Sequence, residues 1–153
     1  MNKDYAELAK ILEELAQAVE RLSQSQTEIA AAGRAKDLAA LSECMKTEQA
    51  YALTLRNLDK KRQDMQTQMG IGSHTLQMVR STAPDEESRT LIRQAEEKLS
   101  ANYKMLQSAS EIARSTLECN LHEVEKLIEN LGVDPKMALE NPTQGGAHTD
   151  FHA

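Results

Sequence analysis

The chain has 153 residues, a net charge of −6, and only six glycines and three prolines. That share of helix breakers is about half of what a globular protein usually carries, and aromatic residues make up only 3% of the chain. The composition argues against a turn-rich β fold and against a parallel α/β fold. The acidic balance predicts no nucleic-acid partner, and the lack of a long apolar run predicts no membrane insertion.

The length fits one domain, and the start of the chain has no signal-peptide character. Residues 1–10 alternate charged and small side chains, without the apolar stretch that a signal peptide needs. Cys44 and Cys119 are too few and too far apart for a disulfide framework. Together these features predict a cytoplasmic protein with two reduced thiols.

The first predicted helix spans residues 3–32. Its apolar side chains recur at alternating intervals of three and four residues, which is typical of a coiled-coil seam. Gln26 occupies the one seam position that is not apolar, and Gly33 is predicted to end the helix as a left-handed cap. The seam residues are Tyr5, Leu8, Leu12, Leu15, Val19, Leu22 and Ile29.

The second predicted helix spans residues 35–69 and ends before Gly70-Ile71-Gly72. Two helices of about 30 residues with a short connection predict an antiparallel hairpin about 45–50 Å long. Glu48 and Arg62 interrupt the seam. The basic run Lys60-Lys61-Arg62 predicts a solvated face, with the alternative that the Arg62 stem lies on apolar surface while its guanidinium pairs with an acid. The remaining seam residues are Leu38, Leu41, Met45, Ala52, Leu55, Leu58, Met65 and Met69.

A short helix over 73–82, with Ser73 as its N-cap, and a last helix over 85–131 complete the predicted elements. Thr82 is a candidate cap for the last helix, and Pro84 suits its first turn. At about 70 Å, this helix exceeds the hairpin by about 20 Å. Either the short helix covers the excess, or the last helix bends, or one end projects. Its apolar stripe comprises Ile92, Ala95, Leu99, Tyr103, Leu106, Ala113, Leu117, Leu121, Val124, Ile128 and Leu131.

Residues 132–153 are rich in Gly, Pro, Asn and Thr and predict a flexible C-terminal tail. The predicted architecture is therefore all-α. It is an elongated antiparallel helical hairpin or bundle with coiled-coil-like packing, formed by residues 1–131 and ending in a long helix.

No pattern in the chain predicts catalysis, a metal site or a cofactor. His122-Glu123 begins like a helical zinc-protease motif, but Lys126 stands where the second histidine is required. Cys119 and His122 could share a helix face, yet two ligands do not complete a zinc site. The segment Gly70-Ile71-Gly72 lacks the Lys-Ser/Thr pair of a phosphate-binding loop. The protein is therefore predicted not to be an enzyme.

Two segments resemble the FlgN-type flagellar export chaperones, over residues ~5–131. In the second helix, Glu48 is followed by leucines and then by the run Leu58-Asp59-Lys60-Lys61-Arg62, similar to a Leu-acid-x-x-Arg run of that family. The last helix carries leucines over 117–124 and again at Leu127-Ile128, as does the family's cargo-binding helix. The segment 113–116 departs from the family by lacking an Asn.

The resemblance implies a cytoplasmic, non-enzymatic chaperone for type III export in bacterial flagellum biogenesis. Its partners would be hook-associated proteins of the hook–filament junction, bound by their C-terminal helical segments, and the export apparatus is a further partner that it allows. The expected partner-binding residues are Leu117, Leu121, Val124, Ile128 and Leu131.

The alternative is a structural or adaptor coiled-coil protein that associates with itself and has no export client. In that case the same stripe of the last helix would close a symmetric interface. The sequence leaves monomer and homodimer both open.

Overall fold

The structure, a computed structural model, describes residues 2–132 and confirms the all-α prediction. Within this range the chain forms four helices and no strand, and the helices pack as a bundle. The predicted flexible tail lies outside the described residues, apart from Gly132. The helices are α1 (Lys3–Ala35), α2 (Leu38–Gln68), α3 (Leu76–Thr82) and α4 (Glu86–Asn130).

Each helix begins at a side chain that accepts a hydrogen bond from a backbone N–H of the first turn. Asn2 caps α1, Asp37 caps α2, Thr75 caps α3 and Asp85 caps α4. Such caps satisfy one of the four N–H groups that a helix start leaves without an intrahelical partner. Ser73 and Thr82, the caps predicted for the last two helices, do not cap them. α3 begins at Leu76, three residues later than predicted.

Gly33 does not end α1, contrary to the sequence-based prediction. The helix continues to Ala35, and Lys36 takes the left-handed cap position with φ 56°. Gly33 is buried where α4 crosses: a Cβ on it would lie 3.3 Å from Leu117 Cδ2 and 3.3 Å from Thr116 Cγ2. The missing side chain therefore allows a close helix–helix approach, while Lys36 provides the cap.

α1 is the central helix, because α2 and α4 both pack against it and make at most marginal contact with each other. The buried residues of α1 fall at four of the seven positions of the heptad repeat, whereas the seam predicted from the sequence occupies only two of these positions. Except for Ile11, the additional buried rows carry small side chains, which let neighbouring helices approach closely. These rows are Ala9, Ala16, Ser23 and Ala30, and, two positions on, Ile11, Ala18, Ser25 and Ala32.

α2 runs antiparallel to α1, as predicted, whereas α4 runs parallel to α1. Three side-chain contacts join α4 to α1, and the residue numbers in these contacts increase in the same direction along both helices. Lys98 Nζ contacts Glu13 Oε2 at 3.3 Å, Asn102 Nδ2 donates to Ala16 O at 2.8 Å, and Asn120 Nδ2 donates to Gly33 O at 2.7 Å. The sequence separation stays near 86 throughout, so the two helices keep one register over five turns.

Apart from the C-terminal end of α4, two residues assigned to apolar seams or stripes are mostly exposed. Leu38 is 79% exposed because it is the first residue of α2, and Tyr103 is 54% exposed. On α4 the neighbouring Asn102 takes the position against α1. Asn102 belongs to a row of buried or half-buried α4 residues that recur every seven positions, namely Ser88, Ala95, Asn102, Ala109 and Thr116.

Of the three outcomes for the overlong last helix, a projecting C-terminal end is the one observed. Asn120 lies opposite Gly33, two residues before α1 ends, so the following turns of α4 extend past α1. We call residues 121–131 the overhang, a segment of about 16 Å at 1.5 Å per residue.

Candidate helix-binding surfaces

The predicted partner-binding face divides into a packed residue and an exposed set. Leu117 packs against the buried cluster of Ile29, Ala30 and Ala113, so it belongs to the bundle. Leu121, Val124 and Leu131 are 51%, 50% and 70% exposed, and Ile128 is half-buried. Sequence analysis left Leu127 out of the face, although it is 58% exposed and extends the overhang's apolar surface.

The overhang is anchored to α1 at its base. Lys36 Nζ lies 2.9 Å from Glu123 Oε2, which joins the cap of α1 to the first turn of the overhang. Both side chains are more than half exposed, so this ion pair contributes well under 1 kcal/mol. Within residues 2–132, Glu125 and Glu129 make no ion pair. The overhang therefore presents an apolar row beside unpaired acids.

A second candidate surface is a groove of about 820 Å³ between α2 and α4 near the α3 end. Its existence follows from the fold, since α2 and α4 flank α1 without closing over it. Leu15 of α1 lies in the groove, and α3 contributes Leu76. The remaining apolar lining is Leu55 of α2 together with Leu99 and Tyr103 of α4.

The α2 rim of the groove is positively charged. Arg56 and Lys60 line it, are exposed, and form no ion pair within residues 2–132. The other charges of the lining are paired within the chain. Arg62 Nε donates to Asp59 Oδ1 at 2.8 Å, and Arg80 Nη1 lies 3.5 Å from Glu96 Oε2. The groove thus combines an apolar lining with two free cations on a chain that is acidic as a whole.

Arg62 and Gln66 hold the α2–α3 connection, which contributes His74 and Thr75 to the groove lining. The Arg62 guanidinium pairs with Asp59, which is the alternative that the sequence left open for this residue, and its Nη1 donates to Gln66 Oε1. The Gln66 amide, which is 1% exposed, donates to Ile71 O at 3.2 Å and to His74 O at 3.1 Å. The role of Gln66 was not predicted from the sequence, because a polar residue beside an apolar seam gives no periodic signal of burial.

The groove could not be recognised from the sequence. Its lining comes from four helices and a connection, and Leu55 and Leu99 are indistinguishable by spacing from ordinary core leucines. Only the separation of α2 from α4 exposes them. The groove is therefore a property of the helix arrangement.

The motifs considered for metal binding do not form a cluster in the described part of the chain. Within residues 2–132, no group of three or more His, Cys, Asp or Glu side chains is arranged to hold a metal ion. His122 and Cys119 are both exposed on α4. At the start of α4, the hydrogen bond from the Ser88 backbone N–H lowers the pKa of the Asp85 carboxyl.

None of the helices between residues 2 and 132 combines the length and apolar character needed to cross a bilayer. Comparisons with protein-family models, with curated proteins and with solved structures find no match to this chain. The candidate surfaces therefore stand on their geometry alone.

Proposed function

We propose that this protein is a cytoplasmic flagellar export chaperone that binds hook-associated proteins before type III secretion. The observation that carries the proposal is the overhang, a rigid helical end with Leu121, Val124, Leu127 and Leu131 at least half exposed. A contiguous apolar surface of this kind is typical of a protein-binding site. The leucine-rich segment that resembles the family's cargo-binding helix coincides with it.

In this mechanism an amphipathic helix of the client packs along the overhang, in the helix-in-groove mode. Complete burial of a leucine contributes roughly 1.5–3 kcal/mol, so each half-exposed side chain would add about 1 kcal/mol. Four such contacts supply about 4 kcal/mol, which is comparable to the lower estimates for the entropy lost on association. A client must therefore bury apolar surface beyond these four side chains before it binds with net affinity.

The test is co-purification and calorimetry with the hook-associated proteins of the same organism. Leu121→Asp should abolish binding while helicity by circular dichroism stays near the wild-type value. The matched control is Leu53→Asp on α2, since Leu53 is 52% exposed and lies far from the overhang in sequence. Retained binding by Leu121→Asp would overturn the proposal, and so would failure of the wild-type protein to retain any of these clients.

The alternative function is a structural or adaptor helical protein that has no client and associates only with itself. The exposed row of the overhang favours this reading equally, because a second copy could cover it. The two functions differ in their response to hook-associated proteins: a chaperone binds them with a defined stoichiometry, whereas the structural protein sediments unchanged in their presence.

A further inference from the structure

The overhang and the groove are complementary in shape and charge, although they lie at opposite ends of the bundle. The overhang is a convex helix with an apolar row beside Glu125 and Glu129. The groove is a concave apolar surface with Arg56 and Lys60 on its α2 rim. The overhang carries three glutamates against one lysine, Lys126. In the groove the acids Asp59 and Glu96 are paired within the chain, so among the described residues its unpaired charges are the two cations Arg56 and Lys60.

The two surfaces of one molecule cannot meet. Leu99 in the groove and Val124 in the overhang belong to the same uninterrupted helix, α4. They are 25 residues apart, which corresponds to about 38 Å along a rigid helix. Any overhang that fills the groove must therefore come from another molecule.

The groove and the overhang both include residues from the same row of α4. Two copies can fill each other's grooves at the same time only if both surfaces lie on one side of this helix. Tyr103 lines the groove, while Val124 and Leu131 lie on the overhang. These three residues are separated by multiples of seven, so they fall on one side of a helix that keeps a heptad register against α1. Two antiparallel α4 helices can then present each overhang to the other's groove around a two-fold axis, as closed homodimers do.

We propose that, without a client, two copies of this chain pair through their α4 helices, with the overhang of each seated in the groove of the other. This inference rests on the proposed function, because it makes self-association the means by which the client-binding leucines are covered. A client helix that takes the overhang then competes with the second copy. Client binding is thereby linked to dissociation of the pair.

The experiment uses charge reversal on the full-length protein, measured by sedimentation velocity. The groove variant carries Arg56→Glu and Lys60→Glu, and the overhang variant carries Glu125→Lys and Glu129→Lys. In either variant alone, like charges face each other in both contacts, so self-association should weaken at least about tenfold. In an equimolar mixture every contact has opposite charges again, and the dimer should return.

Restoration in the mixture identifies the contact, because loss of folding or general loss of solubility cannot be rescued by a second defective chain. The inference is overturned if the wild-type chain stays monomeric at the highest concentration tested. It is also overturned if either variant alone dimerises like wild type, or if the mixture stays monomeric while both variants keep wild-type helicity.

Client binding separates this inference from the proposed function. The groove variant keeps an unaltered overhang, so it should bind a hook-associated protein at least as tightly as the wild-type chain does. If the charge-reversed pair dimerises but no client binds, the self-association stands and the chaperone function fails. If clients bind but the mixture does not dimerise, the chaperone function stands and the paired state is wrong.

Discussion

The Asn120 side chain donates a 2.7 Å hydrogen bond to the backbone carbonyl of Gly33. This bond joins α4 to α1 at the last level where the two helices run side by side. Gly33 has no side chain to keep α4 at a distance, so the Asn120 amide reaches the main chain. The same contact marks the base of the overhang, so it links the packing of the bundle to the proposed binding surface.

Replacement of Asn120 by alanine removes this hydrogen bond. We expect a loss of about 0.5–1.5 kcal/mol in the free energy of unfolding, measured by urea denaturation. Asn57→Ala on the exposed face of α2 is the control and should change stability by less than about 0.5 kcal/mol. Equal losses in the two variants would contradict the structural role of Asn120.

A large side chain at residue 33 should separate α1 from α4. Gly33→Leu places atoms where Leu117 Cδ2 and Thr116 Cγ2 already lie, and overpacking of this kind costs about 1–3 kcal/mol. Ala31→Leu is the control, because Ala31 is exposed two residues earlier on the same helix. Thermal denaturation should show a clear loss for the first variant and almost none for the second.

Removal of the Gln66 amide should destabilise the α2–α3 connection. Gln66→Ala leaves the carbonyls of Ile71 and His74 without their donor, at a cost of about 1–3 kcal/mol in the free energy of unfolding. Gln68→Ala, two residues on at an exposed position, should have little effect. A wild-type denaturation midpoint for Gln66→Ala would show that this connection is held in another way.

Truncation of a core leucine and of an overhang leucine should differ strongly. Leu12 is 0% exposed, so Leu12→Ala is expected to cost about 2–5 kcal/mol, whereas Leu121→Ala should cost less than about 1 kcal/mol. Chemical denaturation measures both variants. A large loss at Leu121 would mean that the overhang is part of the core, and its assignment as a binding surface would fail.

The cap of α4 should make stability dependent on pH. The Ser88 N–H lowers the pKa of the Asp85 carboxyl in the folded protein, so the ionised cap stabilises the fold above the ordinary pKa of about 3.8. This contribution is lost as the pH falls through the lower folded value.

Asp85→Asn keeps a capping oxygen but carries no charge, so it should melt below wild type at pH 7, and the difference should vanish under strongly acid conditions. Asp64→Asn on exposed α2 is the control. A difference between Asp85→Asn and wild type that persists at low pH would assign the effect to the shape of the cap.

Periodicity alone determined that the chain is helical, that α1 and α2 form a hairpin and that α4 is too long for its neighbours. These features follow from local spacing, because leucines at three- and four-residue intervals form one apolar face of a helix, whichever helix packs against that face. The position of Arg62 beside an acid, Asp59, was also accessible, since both residues lie within one helical turn.

Only the tertiary arrangement decided which end of α4 projects, that α4 runs parallel to α1, and that a groove separates α2 from α4. Each depends on contacts between residues about 86 positions apart, which leave no periodic trace within either segment. Gly33 shows the reason. A glycine near a helix end predicts a cap by local rules, but α4 approaches this one closely enough to need the space of the missing side chain.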